Sequence, residues 1–336
     1  MLLLMLVAAM AATPAPSQPR TFGDWTVGCD NGLDCQAVAL LPAQEEWSEW
    51  LTLRFSRDAD AAARPVVTIE NLETAPAALL ADGAPLDVRF TRDPDGFIVH
   101  AADEGALIAA LKGARSLEVR GPDGARLGRV SLSGASAAML FMDEAQHRLD
   151  TVTALVRTGA RPAGAMPPPP ELPVVRLPPV PADAPLAFSE ARVTALRQEH
   201  DCTIDEVGGP DHLETVQIET GTTLILLACG SGAYNLSSVP LIARSRGGEV
   251  IVEIAPFDHQ MGIAVEDRPT LTNAAWDAER RLLQEYSKGR GLGDCGTRAD
   301  YVWDGSSFRI VHQEQMGECQ GSLYYIPTWN ARVVAP

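Results

Sequence analysis

The 336-residue sequence predicts a mainly β (α+β) protein in two domains joined by a proline-rich linker. The first domain reads as β-sandwich-like with two helices, and the second as an antiparallel β domain stapled by disulfides. Three observations carry this expectation. Apolar residues recur at every second position, prolines crowd one internal segment, and six cysteines sit at short spacings.

The alternation identifies the strands. Leu51, Leu53 and Phe55 alternate with Thr52, Arg54 and Ser56, and Leu86, Val88 and Phe90 alternate with Asp87, Arg89 and Thr91. This is the period of a half-buried strand. Leu117 and Val119, then Pro122-Asp123-Gly124, then Leu127, Val130 and Leu132 read as a hairpin with a bulge at Gly128. One helix is expected from its cap at Asp103 to Gly113. A second carries Leu140, Phe141, Leu149, Val152 and Val156 on one face and stops at Gly159.

The linker follows, over residues 159–185. Ten of the 24 residues from Pro162 to Pro185 are proline, which removes backbone donors and favours polyproline II. At about 3.1 Å per residue such a run reaches roughly 75 Å. It divides an expected domain of residues 20–158 from one of 186–336. The second domain opens with a helix capped by Ser189, with Val193 and Leu196 on its inner side. Strands are then expected over 213–219, 222–229, 234–243, 249–256, 299–304, 307–314 and 322–333. Residues 274–286 fit either a helix or a hairpin. Aromatic-Asp-Gly turns after Leu271 are compatible with blades of a partial propeller.

Charge and leader narrow the function classes. Twenty-seven basic against 44 acidic residues give a net charge of −17. Nucleic acid and anionic membranes demand basic patches, so neither is an expected partner. Met1 to Ala12 is apolar and Thr13-Pro14-Ala15-Pro16 breaks it. A spanning helix needs about 20 residues, so this segment reads as a secretory signal peptide within residues 1–15, cleaved after Ala11. The expected location is the periplasm, or outside the cell, without stable membrane insertion.

The cysteines agree with export. Cys29, Cys35, Cys202, Cys229, Cys295 and Cys319 contain no Cys-x-x-Cys pair, and an even number suits an oxidising compartment. Fifteen pairings are possible. The spacing favours three local ones: Cys29 with Cys35, Cys202 with Cys229, and Cys295 with Cys319.

Two blocks carry a family resemblance. Phe22-Gly23-Asp24-Trp25-Thr26-Val27, followed by Cys29 and Cys35, resembles the opening of the invasion-associated locus B family of secreted bacterial proteins. Pro76 to Leu86, and Ser131-Leu132-Ser133-Gly134 leading into an Ala-rich helix, resemble its later blocks. Lys288-Gly289-Arg290-Gly291-Leu292-Gly293-Asp294-Cys295-Gly296, then Tyr301-Val302-Trp303-Asp304-Gly305, Phe308, Cys319 and Trp329, resemble the family called domain of unknown function 1176. The resemblance implies an exported Gram-negative protein. It supplies no activity and no catalytic residues.

Each motif with a chemical reading also has a structural one. Ser136 follows a strand as a hydrolase nucleophile would, but its segment lacks the closing glycine of Gly-x-Ser-x-Gly, so a capping role is favoured. The loop Gly289 to Asp294 lacks the Lys-Ser/Thr of a phosphate loop. It reads as a pinned turn in which Arg290 and Asp294 pair, and those two are also the favoured ligand contacts. Trp303 joins them as a possible contact. No two histidines stand at metal-ligand spacing, and Asp93-Pro94-Asp95-Gly96 lacks the closing Glu of a calcium loop. Trp47 and Trp50 form either a partner-binding lip or a cap on the sheet. No cofactor and no metal is expected. The function expected is non-enzymatic binding of another envelope component, a protein; the alternative is a secreted inhibitor of a basic cell-wall hydrolase such as lysozyme, with a hydrolase of unrecognised site as a third class.

Loop length sets the first prediction. Closing the short Cys29–Cys35 loop contributes about 2 kcal/mol and each longer loop about 3.5 kcal/mol. Reductant is therefore expected to lower the melting temperature of fragment 186–336 far more than that of fragment 20–158. Calorimetry with and without reductant checks it, and equal shifts would contradict it.

Overall fold

A computed structural model describes residues 15–43, 50–70, 72–202, 213–259 and 269–336. The signal-peptide reading and Trp47 lie outside the described residues, and Trp50 lies within them.

Two sheets enclose the N-terminal core. The seven-stranded sheet runs, in spatial order, Arg20–Phe22, Trp25–Cys29, Cys35–Ala39, Leu53–Arg57, Val66–Glu70, Gly96–Ala101 and Val88–Asp93. The four-stranded sheet orders Arg126–Ser131, Ser116–Arg120, Ala78–Ala81 and Ala84–Leu86. Trp25, Val27, Leu53, Phe55 and Ile69 from the first meet Leu79, Leu117, Val119 and Val130 from the second in one apolar cluster. This is sandwich packing of two inner faces. The register shift expected near Gly128 is present, since Val119 faces Gly128 and Arg120 faces Arg126.

The blocks that suggested a family meet in space. Trp25 Nε1 donates to the Ser131 carbonyl at 2.9 Å, and Ser131 Oγ donates to Asp24 at 2.6 Å. Gly134 sits at φ +97°, where a Cβ would lie 1.6 Å from the Phe22 carbonyl oxygen, so only glycine fits.

Helix α1 spans Glu104–Gly113, with Asp103 accepting from the Ala106 N–H as its cap. Helix α2 spans Ala135–Ala145 and departs from expectation at both ends. Its cap position is Gly134, with no side-chain capping bond, so Ser136 is not the cap. It also stops well short of Gly159. The reason is Asp143, whose buried carboxylate accepts from the backbone N–H groups of Leu155 and Val156 and pairs with Arg57 at 2.8 Å. Those bonds fold residues 146–158 back on the helix, through left-handed turns at His147 and Asp150. Val152, expected on the inner face, is exposed.

The C-terminal half is two antiparallel meanders. One orders Leu213–Glu219, Thr222–Ser231, Leu236–Arg246 and Glu249–Ile254, with Leu271–Thr272 also on Leu236–Arg246. The other orders Ala275–Asp277, Leu282–Lys288, Gly296–Trp303, Phe308–Met316 and Ile326–Asn330. Leu224, Leu226 and Ile242 of the first meet Leu283, Tyr301, Trp303 and Ile310 of the second in a shared core. Two such units close no ring. Residues 274–286 adopt the hairpin alternative, turned by Asp277 accepting from the Arg280 N–H. Helix α3, Glu190–Glu199, is capped by Ser189 and buries Leu196.

The disulfides join Cys29 to Cys35, Cys202 to Cys229 and Cys295 to Cys319. Within the proline-rich segment, Val174–Arg176 pairs in parallel with Arg332–Val334, and Val175 packs on Leu282, Val302 and Val311. The segment is thus stitched along the fold and does not hold the halves apart. They dock through Val38 and Leu40 on one side and Met316, Tyr325 and Ile326 on the other.

Asp143 generates the second prediction. Arg57 is buried against it, and burial, opposed by Asp143, lowers the guanidinium pKa to about 10. Removing the carboxylate's charge leaves Arg57 and Arg148 buried together. Asp143→Asn is expected to cost about 3–5 kcal/mol, read as a lower urea midpoint; an unchanged midpoint would contradict it.

Candidate functional site

A polar seam runs across the second meander and into the N-terminal half. Gln284, Asp300, His312 and Asn330 occupy facing positions on four successive strands. Gln284 donates to Asp300 at 3.2 Å, and His312 Nδ1 lies 2.8 Å from Asn330 Oδ1. Asn330 then bonds the Cys29–Cys35 turn: its amide side chain donates to Asp30, and its backbone N–H donates to Asn31 Oδ1 at 2.7 Å. Asn31 returns a bond to the Asn330 carbonyl at 3.0 Å. Asp30 shapes the turn by accepting from Gly32 and Asp34 N–H groups.

A second row lies beside the first. Arg298 pairs with Glu314 at 2.9 Å and lies 4.5 Å from the ring centres of both Tyr286 and Tyr325. Burial draws the His312 pKa down, but Glu314, Asn330 and Asp300 outweigh it and hold the imidazole above its ordinary value. A cationic His312 is therefore stabilised by the carboxylates around it.

The glycine loop closes the seam. Tyr286 and Tyr325 hydroxyls donate to the Gly293 carbonyl at 2.7 and 2.9 Å. Arg290 chelates Asp294 through Nε at 2.7 Å and through Nη2, and the Gly321 N–H donates to Asp294 at 2.7 Å. Burial alone would raise the Asp294 carboxyl; Arg290 and Gly321 hold it below its usual value. Tyr234 donates to the Gly289 carbonyl at 3.1 Å. With Cys295 tied to Cys319, the loop is pinned, and it presents Leu292 at 61% exposure beside Tyr234 at 41%.

The other residues singled out in the sequence lie elsewhere. Trp303, expected as a contact, is 1% exposed, donates to Glu219 at 2.9 Å and packs on Phe308 within the shared core. Trp50 is partly buried under Arg129, whose guanidinium carbon lies 4.1 Å from its ring centre. Asp93 and Gly96 are paired across a hairpin. No group of three metal-ligating side chains occurs among the described residues.

The sequence reading missed His312, Asn330 and Asp30 as one unit. It also missed Glu70, whose side chain is fully buried where the halves meet. Its nearest charge is Arg54 Nε at 3.7 Å, while Arg54 pairs with Asp95 at 2.9 Å and lies 4.9 Å from the ring centre of Tyr324. Tyr324 in turn donates to the Asp95 carbonyl at 3.3 Å. Burial, opposed by Arg54, pushes the Glu70 carboxyl up to about 8.

Glu70 fixes the third prediction. Its folded pKa exceeds the ordinary value of 4.5, so its contribution to stability is complete below about 4.5 and is lost as pH rises through about 8. Glu285, pushed up to about 7 chiefly by burial, acts in the same direction. Thermal unfolding should show a melting temperature falling from pH 5 to 9, and Glu70→Gln should flatten that fall. Equal slopes in both proteins would contradict it.

The family model described as "Protein of unknown function (DUF1176)" matches residues 19–336. A similar protein is "Uncharacterized protein YpfG" of Escherichia coli (strain K12), 28% identical over 330 residues, which cover 91% of this chain and 89% of that one. The crystal structure of invasion associated protein B from Bartonella henselae aligns at 23% identity and a TM-score of 0.29, covering 39% of this chain and 99% of that one. The chain belongs to the DUF1176 family.

Proposed function

We propose that the chain is an exported periplasmic protein that binds another protein of the cell envelope and carries out no reaction of its own. The observation that carries the reading is the pinned glycine loop. Arg290 is held by Asp294, the Gly293 carbonyl by two tyrosines, and the loop end by a disulfide. A surface fixed in this way loses little conformational entropy on binding. Exposed Leu292 on the loop and Tyr234 on the adjacent turn are an aliphatic and an aromatic anchor.

Export draws support from the paired cysteines, which oxidising compartments maintain. Among the described residues no helix is long and apolar enough to cross a membrane. A narrower reading is inhibition of a basic cell-wall hydrolase such as lysozyme, favoured by the net charge of −17. Such binding would weaken steeply between low and physiological salt.

The reading is tested by mild crosslinking in intact cells, followed by recovery of the tagged full-length chain from the periplasmic fraction. One specific crosslinked species is expected, reduced about tenfold by Leu292→Asp, a loss of about 1.4 kcal/mol. Recovery only from the cytoplasm, or crosslinking indifferent to Leu292, would overturn it. For the narrower reading, excess protein should slow lysozyme clearing of cell walls at low salt; unchanged clearing ends it.

A further inference from the structure

A cavity of about 520 Å³ opens in the N-terminal half, between α1, residues 62–65 and the turn 152–158. That volume lies within the range of small-molecule sites. Pro65, Ile108, Val152 and Leu155 give it apolar walls, and Lys112 and Arg64 stand on its lining. A smaller depression of about 140 Å³ shares Pro65 and Ile108, so the apolar surface continues around α1.

The cations set the polarity of the site. The chain carries a net charge of −17 and has two lysines, of which Lys112 is one. Its Nζ donates to the Leu155 carbonyl at 3.1 Å, and it forms no ion pair among the described residues. An ammonium has three donors, so two remain for a ligand. Arg64 pairs with Glu104 at 2.9 Å, but both side chains are largely exposed, at 78% and 45%. Such a surface pair is weak and exchanges readily. Along α1, Lys112 stands about 12 Å from Glu104, at 1.5 Å of rise per residue. Ile108 lies midway.

We infer that this groove binds a single-chain carboxylate, with its tail on Ile108 and Leu155 and its carboxylate on Lys112 Nζ. The charge-assisted hydrogen bond selects the head group. The apolar lining of Pro65, Ile108, Val152 and Leu155 takes the tail, and an uncharged head leaves the ammonium without its partner. The site is separate from the glycine loop, so it stands or falls independently of the envelope-protein reading.

The two lysines supply the test. The full chain is treated with a limiting amine-acylating reagent, with and without decanoate below its micelle-forming concentration, and acylation is read by peptide mass spectrometry. Decanoate should slow labelling of Lys112 at least about fivefold and leave Lys288 unchanged, with decanol protecting at least about tenfold less well. Ile108→Trp, which fills the groove, should abolish protection while labelling without ligand stays as in the parent chain. Equal labelling of Lys112 with and without decanoate would overturn the inference. So would equal protection by decanol, because the carboxylate would then have no role. If Ile108→Trp fails to fold, the two ligands on the parent chain decide the matter.

Discussion

The reciprocal pairing of Asn31 with Asn330 is the contact on which the arrangement of the molecule depends. Two hydrogen bonds, at 2.7 and 3.0 Å, join a turn closed by Cys29–Cys35 to a strand near the C-terminus. They set the register in which Ile326–Asn330 crosses the outer face of the first sheet. Once set, Gln36 donates to the Tyr325 carbonyl at 2.7 Å and the Leu41 N–H donates to the Gln320 carbonyl at 3.0 Å. The close approach also requires Gly28, where a Cβ would lie 2.7 Å from Ile326. Tyr325 and Tyr324, positioned by the same crossing, then organise the glycine loop and cover Arg54. The loop proposed to meet a partner is thus held by Tyr325, whose backbone carbonyl in turn accepts from Gln36 of the N-terminal half.

This dependence changes the meaning of the shortest disulfide. By loop length alone Cys29–Cys35 removes little chain entropy. Its position assigns it a larger role, because it holds Asp30 and Asn31 in the geometry that Asn330 recognises. The two longer disulfides staple within the C-terminal half, one between the end of α3 and its neighbouring strand, the other beside the glycine loop.

Much of the fold was legible because it is local. Alternation located most strands, Asp103 and Ser189 marked helix starts, and short spacing paired the cysteines. The errors arose where distant chain intervenes. The end of α2 is decided by Asp143 capturing backbone N–H groups twelve and thirteen residues later, and apolar periodicity carries no trace of that. His312 joins the seam because a register shift opposite Asp300 and Tyr301 turns the strand's face at Val311. Strict alternation could not foresee it. One signal of docking was available: Ala37-Val38-Ala39-Leu40-Leu41 is apolar without alternation, the mark of a strand covered on both faces. The linker composition masked that signal. Arg290 and Asp294 were found because glycines and a cysteine frame them, whereas Glu70 sits in an ordinary strand pattern and only the docked structure reveals its burial.

The central claim is that the two halves form one docked body with the proline-rich segment folded along it. Small-angle X-ray scattering on the full chain tests this most directly. A compact chain of this length has a radius of gyration of about 20 Å, and the account predicts a value near that with a single-peaked distance distribution. A radius of about 30 Å or more, with a second peak at long distances, would show halves held apart by an extended spacer and would contradict it.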